Sequence, residues 1–406
     1  MGNLNRQIMY AVLMSIIFGL IFRWCESYYF EIFFGPALIL IGQVFLMLLK
    51  MIMVPLIFFA LTTSISSLKK NNQSQRLWQG TIAFYLITML TAIIIMMTAF
   101  NIFSPGTDSE LLMNPAGASG DETAKTSFSL FAVIQSLIQN PFKALASGNI
   151  MAVVVFSIFF GLSLRSTNKN IQNVKSLVSG LFDSIMQIVN WIMRFAPLGI
   201  FALLTDLIVK QDMVVFMELF YFIAIVIFVI LFHGLVVLPF ILKFFTKIKF
   251  MDFFIKGKEI FITAFATSSS AATLPITIKT LEKNYKIEPN VSKFVLPLGA
   301  TINMDGTAMY EAAVALFVAN IVGINLGFSD QVILVFIAMA ASIGAPAIPS
   351  AGMVTLVIVL STLNLPVEYI ALFIPVDRLI DTFRTTINVE GDVVAALVMN
   401  RFIKKS

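Results

Sequence analysis

Residues 377–392 read Asp377-Arg378-Leu379-Ile380-Asp381-Thr382-Phe383-Arg384-Thr385-Thr386-Ile387-Asn388-Val389-Glu390-Gly391-Asp392. In a helix, Asp377, Asp381, Arg384, Asn388 and Asp392 follow one another at spacings of 4, 3, 4 and 4. At 3.6 residues per turn this keeps all five on one narrow face. The flanks are apolar: Leu372, Phe373, Ile374 and Val376 before, Val393, Val394, Ala395, Ala396, Leu397 and Val398 after. A charge at mid-bilayer depth costs about 2.5–3.5 kcal/mol on insertion scales, so a face with three carboxylates and a guanidinium must be paired, wet or liganded. A static ion-pair network is the plainer reading. One arginine cannot neutralise three aspartates, however, and ionisable residues inside a membrane mark functional sites.

Composition supplies the membrane. Of 406 residues 59% are hydrophobic, 40 are phenylalanine and only 12% are charged, with a mean hydropathy of +0.93. A soluble domain carries about 25% charged residues, so the chain reads as one integral, polytopic membrane domain. The net charge of +5 reads as loop bias that sets topology, and no nucleic-acid partner is implied. With one cysteine, Cys25, and one histidine, His233, disulfide scaffolds and Cys/His metal sites are excluded by count. His233 lies in the run Phe228-Val229-Ile230-Leu231-Phe232 and reads as a packed or interface histidine. The apolar run from Ile8 to Phe22 has no small-residue cleavage site after it and reads as a retained first span.

Apolar runs place spans near 8–24, 33–66, 78–103, 129–164, 176–209, 213–243, 289–323 and 368–402. Basic clusters (Lys69, Lys70 and Arg76; Arg165, Lys169 and Lys175; Lys243, Lys247, Lys249, Lys256 and Lys258; Arg401, Lys404 and Lys405) alternate with acidic connections around Glu26, Asp108, Asp206 and Glu368. The positive-inside rule then puts both termini in the cytoplasm, which requires an even number of spans. Eight fits.

Two further segments read as re-entrant hairpins. In 253–278 the polar run Thr267-Ser268-Ser269-Ser270-Ala271-Ala272-Thr273-Leu274-Pro275 has lysines on both flanks. In 331–363 the tip Ser342-Ile343-Gly344-Ala345-Pro346-Ala347-Ile348-Pro349-Ser350-Ala351-Gly352 breaks an apolar run. Non-helical backbone at membrane depth is tolerated only where it is buried or lines a cavity, and paired interruptions of this kind point to inverted repeats around a midplane site. Between them, Gly299-Ala300-Thr301-Ile302-Asn303-Met304-Asp305-Gly306-Thr307 crowds polar residues too closely for one face, and Gly306 is expected to mark an unwound turn whose carbonyls suit a hard cation.

At these residues the sequence resembles the glutamate transporter family, the dicarboxylate/amino acid:cation symporters. The likeness runs from Lys50-Met51-Ile52-Met53-Val54-Pro55-Leu56 through SSSAATLP (268–275), NMDGT (303–307) and SIGAPAIPSAG (342–352) to the Asp381, Arg384, Asn388, Asp392 helix. The resemblance implies an all-α membrane protein of eight transmembrane helices plus two re-entrant hairpins, working as an elevator and assembling as a homotrimer in the inner or plasma membrane. A scaffold of about 1–76 and 129–209 would carry a transport part of about 77–105 and 213–406.

Carried over residue by residue, the resemblance assigns Arg384 to the acidic side chain of the substrate and Asp381 to its α-amino group. Asn388, Thr385 and Thr307 complete the pocket, and Ser268, Ser269, Ser270, Ala347 and Gly352 close it from the two hairpins. It implies three sodium sites: Asp392, Asn388, Asn303 and the Gly299 carbonyl; Thr301 with Ser342, Ile343 and Ala345; and Tyr85, Thr88, Asn303 and Asp305. No cofactor is implied beyond the coupling ions, sodium, protons or both. Three departures accompany it. Met89 stands where the third site usually has a hydroxyl, Ser268 and Thr382 stand where a second arginine is usual, and Pro346 should stiffen the second tip.

The substrate expected is glutamate or aspartate. A C4-dicarboxylate is the alternative, against which Asp381 would repel a dianion. From another class, a membrane-embedded hydrolase would need an activated nucleophile, and the serines at 268–270 lack a histidine in any motif; the chain is not expected to be an enzyme. Glu311, just after the NMDGT turn, adds a carboxyl group that could cross the membrane as the uncharged acid and couple transport to protons; the alternative is that it pairs with Arg384.

Overall fold

A computed structural model describes residues 2–24, 34–66, 75–107, 138–165, 169–210, 213–343, 345 and 352–404. The helices are α1 (Gly2–Trp24), α2 (Gly35–Ser66), α3 (Gln75–Phe103), α4 (Pro141–Ser147), α5 (Ile150–Ser163), α6 (Lys169–Lys210), α7 (Met213–Phe232), α8 (Leu238–Thr246), α9 (Phe250–Thr267), α10 (Ser270–Asn284), α11 (Pro289–Ile302), α12 (Asp305–Ile321), α13 (Phe328–Ile343), α14 (Gly352–Thr362) and α15 (Ile370–Lys404). There is no strand among the described residues.

Among the described residues, five stretches are helical, long and apolar enough to cross a bilayer: Arg6–Arg23, Gly35–Thr63, Leu77–Phe103, Asn170–Val209 and Met217–Thr246. Their outward faces are greasy, as at Met217, Phe220, Phe228, Phe240 and Phe244, all exposed. A row of such side chains is stable against lipid and costly against water. The first, second, third and fifth expected spans thus come out as single helices, and the sixth as one continuous helical stretch widened by a π-helical turn at His233–Val237. The fourth, 129–164, does not: residues 129–137 lie outside the described part, and the rest is two helices. Asn140 Oδ1 accepts from the Phe142 and Lys143 amides (3.0 and 3.3 Å), Gly148 ends α4 in the left-handed region, and Asn149 caps α5 through the Ala152 amide. Two asparagine caps and a C-terminal glycine are strong local stop and start signals, and they override the continuous apolar run.

The seventh span is also two helices, broken at Asn303 and Met304, whose dihedrals are non-helical. Gly306 is therefore not the unwound turn. It lies in the first turn of α12, where a Cβ would sit 2.6 Å from the Arg384 carbonyl oxygen and 2.7 Å from its Cα. Its role is to let α12 touch the backbone of α15.

Both hairpins form. In the first, α9 and α10 pack together, and the serine run makes the tip. Ser268 turns the chain in the left-handed region (φ 48°), and Ser269 Oγ caps α10 by accepting from the Ala272 amide at 3.2 Å. In the second, α13 packs on α14; of its tip, Gly344, Pro346, Ala347 and residues 348–351 lie outside the described residues.

Two packing groups result. Helices α1, α2 and α5 pack around the long, amphipathic α6 or its neighbours, while α3 and α7–α14 gather around α12 and α15. Helix α15 is the axis of the second group, touching α7 through α12 as well as α3 and α14. Its residues 393–398 are buried apolar side chains, so the hydrophobic core clamps the helix that carries the charged face.

Candidate binding site on the last helix

All five residues of the α15 face are buried, as its spacing requires. They divide into two sets. The first is an ion-pair cluster. Arg384, 1% exposed, donates through Nη2 to Asp377 Oδ1 and to Asp381 Oδ1, both at 2.9 Å. Arg378 adds a second cation, with its Nη1 3.7 Å from Asp381 Oδ2 and its side chain 43% exposed at the rim. The cluster thus holds two aspartates and two arginines, and the excess of carboxylate read from the face alone does not arise here.

The guanidinium is held in one plane. Its Cζ lies 4.2 Å from the centroid of the Tyr310 ring, a cation–π contact that sequence reasoning missed; the signal was an aromatic residue three positions after Thr307 on the same helix. Nη2 carries both aspartate bonds, whereas Nε and Nη1 have no hydrogen-bond partner among the described residues. Nη1 faces the start of α14, where a Cβ at Gly352 would lie 2.7 Å away. A buried guanidinium with one edge paired and the other bare is arranged to receive a carboxylate. Thr385 is buried one residue further on, and the first hairpin reaches the same place, with Phe265 edge-on to Phe383 at 5.3 Å. Ser268 Oγ, buried at that tip, has no partner among the described residues; Ser269 and Ser270 are buried beside it.

The second set ties α15 to the break between α11 and α12. Asn388 Oδ1 accepts from the Gly306 amide at 2.8 Å, and its Nδ2 donates to Thr307 Oγ1 at 3.2 Å and approaches Met304 Sδ at 3.4 Å. Asn303 Nδ2 donates to the Asn388 carbonyl and to Asp392 Oδ1, each at 2.9 Å. The Gly299 carbonyl accepts from the Asn303 amide at 2.8 Å, and a Cβ on Gly299 would collide with Asp392. Gly299, Asn303, Asn388 and Asp392 are therefore one cluster of oxygen donors, and Asn303 Oδ1 within it is buried without a partner among the described residues.

The other expected cation ligands lie around it. Thr301 Oγ1 donates to the Leu298 carbonyl at 3.0 Å. Helix α11 packs on α13, which ends at Ile343, with Ser342 and Ala345 buried. Ala347 falls outside the described residues. Tyr85, fully buried, donates to the Val295 carbonyl at 3.0 Å, and Thr88 Oγ1 lies 3.4 Å from Asp305 Oδ1.

Three further side chains change the reading of the site. Glu311 is fully buried and does not pair with Arg384, whose bonds go to the aspartates. Neither Glu311 oxygen has a hydrogen-bond partner among the described residues, and the hydroxyl of its neighbour Thr355 is donated to the Gly352 carbonyl. Glu390, also buried, faces Gly234 from α15 and has no assigned role. His233 is not a packed bystander: its Nε2 lies 3.2 Å from Asp305 Oδ2, both side chains fully buried. It opens a π-helical turn, His233–Val237, ahead of Pro239. Pro239 has no N–H to give and its ring crowds the Leu235 carbonyl, which the widened turn accommodates. A lone histidine before a glycine and a proline in an apolar run was the only local signal.

The chain matches, over residues 4–402, the pattern that defines the sodium:dicarboxylate symporter family. It is 29% identical to excitatory amino acid transporter 3 of Mus musculus, covering 97% of this chain and 84% of that protein. It is 35% identical to excitatory amino acid transporter 1 of Ambystoma tigrinum, covering 87% and 75%. It is also 32% identical to neutral amino acid transporter B(0) of Homo sapiens, covering 91% and 74%.

Proposed function

Because this chain belongs to the sodium:dicarboxylate symporter family, and is thus a multi-pass membrane transporter and not an enzyme, we propose that it carries an acidic amino acid, glutamate or aspartate, coupled to inward cation movement. Relatives at similar identity are named for excitatory and for neutral amino acids, so the site must decide the substrate. The observation that carries the proposal is the Arg384 guanidinium, buried, stacked on Tyr310 and, among the described residues, bare along Nε and Nη1. A side-chain carboxylate docks on that edge. The substrate ammonium takes over Asp381, which leaves Arg384 for it, and Asp377 stays on Nη2. One internal ion pair is exchanged for two pairs with the substrate, whose α-carboxylate brings one further negative charge that the co-transported cations balance.

Thr307, Thr385 and Asn388 hold the α-carboxylate side of the substrate, with Ser268, Ser269 and Ser270 on one tip and Ala347 and Gly352 on the other. The oxygen cluster of Gly299, Asn303, Asn388 and Asp392 holds one sodium ion, and Thr301 with Ser342, Ile343 and Ala345 holds another. Glu311 carries a proton. It is buried with no hydrogen-bond partner among the described residues, so a charged carboxylate there would be costly and the neutral acid crosses the membrane with the substrate.

In the same reading the chain makes eight crossings with both termini cytoplasmic. Residues of about 1–76 and 129–209 form a fixed scaffold at the centre of a homotrimer, and about 77–105 and 213–406 move through it as an elevator. The division of packing between the α1, α2, α5, α6 group and the α12, α15 group supports this.

The test is counterflow of labelled glutamate and aspartate in proteoliposomes, with succinate as competitor, under separately imposed sodium and proton gradients. Exchange of aspartate for glutamate in counterflow, and net uptake of either driven by a cation gradient, are the expected results. Preference for succinate would replace the amino acid reading by a C4-dicarboxylate one.

A further inference from the structure

Asp305 opens α12, fully buried between α3 and the π-helical turn. A buried carboxylate is tolerated when it is paired or when it coordinates a metal. The third sodium site implied by the resemblance takes the second route, with Tyr85, Thr88, Asn303 and Asp305 as ligands.

Those residues do not fit that ion. Both Asp305 oxygens already face a donor: Thr88 Oγ1 at 3.4 Å from Oδ1, and His233 Nε2 at 3.2 Å from Oδ2. The Thr88 hydroxyl also lies 3.2 Å from the Tyr85 carbonyl, and the Tyr85 hydroxyl is turned to the Val295 carbonyl at 3.0 Å. Asn303 directs its amide nitrogen to the Asn388 carbonyl and to Asp392, and its Oδ1, without a partner among the described residues, is the one ligand atom it could offer. The hydroxyl that would complete the shell is replaced by Met89, fully buried, whose sulfur lies 3.5 Å from Ser342 Oγ. A thioether is a soft ligand and a poor substitute for a hard oxygen.

His233 is built into its place. The widened turn that it opens aims the ring at Asp305, and Gly234 behind it lets Glu390 of α15 approach to where a Cβ would be 3.0 Å from Oε2.

We infer that the Asp305 corner works without a metal ion, because His233 pairs with Asp305 in its stead, so that this chain couples one sodium ion fewer per substrate than it would with a hydroxyl at position 89 and no histidine on Asp305. His233 is then a positioning residue that holds Asp305 and the start of α12 in place. The inference rests on the cation-coupled transport reading and sharpens its stoichiometry.

The measurement is the sodium-to-substrate ratio from the zero-flux membrane potential in proteoliposomes, for the wild type and for the double variant Met89→Thr with His233→Ala. The double variant should raise the ratio by one, including from zero to one if the wild type is driven by protons alone. An equal ratio in the two proteins overturns the inference. Should the double variant fail to fold, the sodium dependence of thermal stability in Asp305→Asn decides, since its slope against the logarithm of sodium concentration counts ions bound to the folded state. An unchanged slope is expected, and a slope lower by one ion overturns the inference. Absence of counterflow in every protein would instead sink the transport reading, and this inference with it.

Discussion

Replacing Arg384 by cysteine tests the substrate assignment most directly. The guanidinium is 1% exposed, makes two charge-assisted bonds of 2.9 Å and stacks 4.2 Å from the Tyr310 centroid. Removing one partner of a buried, hydrogen-bonded charge pair costs about 3–5 kcal/mol. At 1.4 kcal/mol per tenfold that is a loss of about 10²–10⁴-fold in glutamate or aspartate affinity. The vacated side chain leaves Asp381 free to take an α-ammonium, while Asp377, deprived of its Arg384 bond, adds a carboxylate that opposes an acidic side chain further. Small neutral amino acids such as serine or alanine should therefore be exchanged by Arg384→Cys, and they serve as the control that the variant folds. Arg384→Lys keeps the charge but loses the planar fork, and should fall between the two. The assay is counterflow of labelled glutamate, aspartate and serine in proteoliposomes. If Arg384→Cys exchanges serine and still binds glutamate and aspartate with wild-type affinity, the acidic side chain is read elsewhere and the reasoning fails.

Asp381→Asn should weaken every amino acid irrespective of side chain while succinate gains relative to aspartate; a loss confined to acidic substrates in competition assays would contradict the ammonium role. Glu311→Gln should abolish uptake driven by a proton gradient and preserve equilibrium exchange, which needs no net proton movement. Proton-driven uptake that survives would move the coupling to Asp305 or Asp392. Gly306→Ala puts a methyl group 2.6 Å from the Arg384 carbonyl oxygen and should destabilise the protein by about 1–3 kcal/mol, seen as a lower thermal midpoint, which wild-type stability in the variant would refute.

Much of this was legible in the chain itself because it is local. The spacing of Asp377, Asp381, Arg384, Asn388 and Asp392 dictates a shared face in any helix, and the structure puts all five in the interior. Polar tips at 267–275 and 342–352 interrupt apolar runs, and hairpins follow. The fourth apolar run, 129–164, is longer than one crossing needs, and its break falls where the sequence carries the cap residues Gly148 and Asn149.

The amino-acid sequence by itself determined which side chains must leave lipid, since helical periodicity and the cost of burying charge depend only on neighbours within a few residues. What each of them meets was decided by tertiary structure alone. That Arg384 holds Asp377 and Asp381 and leaves Glu311 unpaired, that the chain unwinds at Asn303 and Met304 so that Gly306 can touch α15, and that His233 reaches Asp305 across 72 residues are outcomes of how helices cross. Partner choice among buried polar groups is settled by distances between elements far apart in the chain, and no spacing along one element records them.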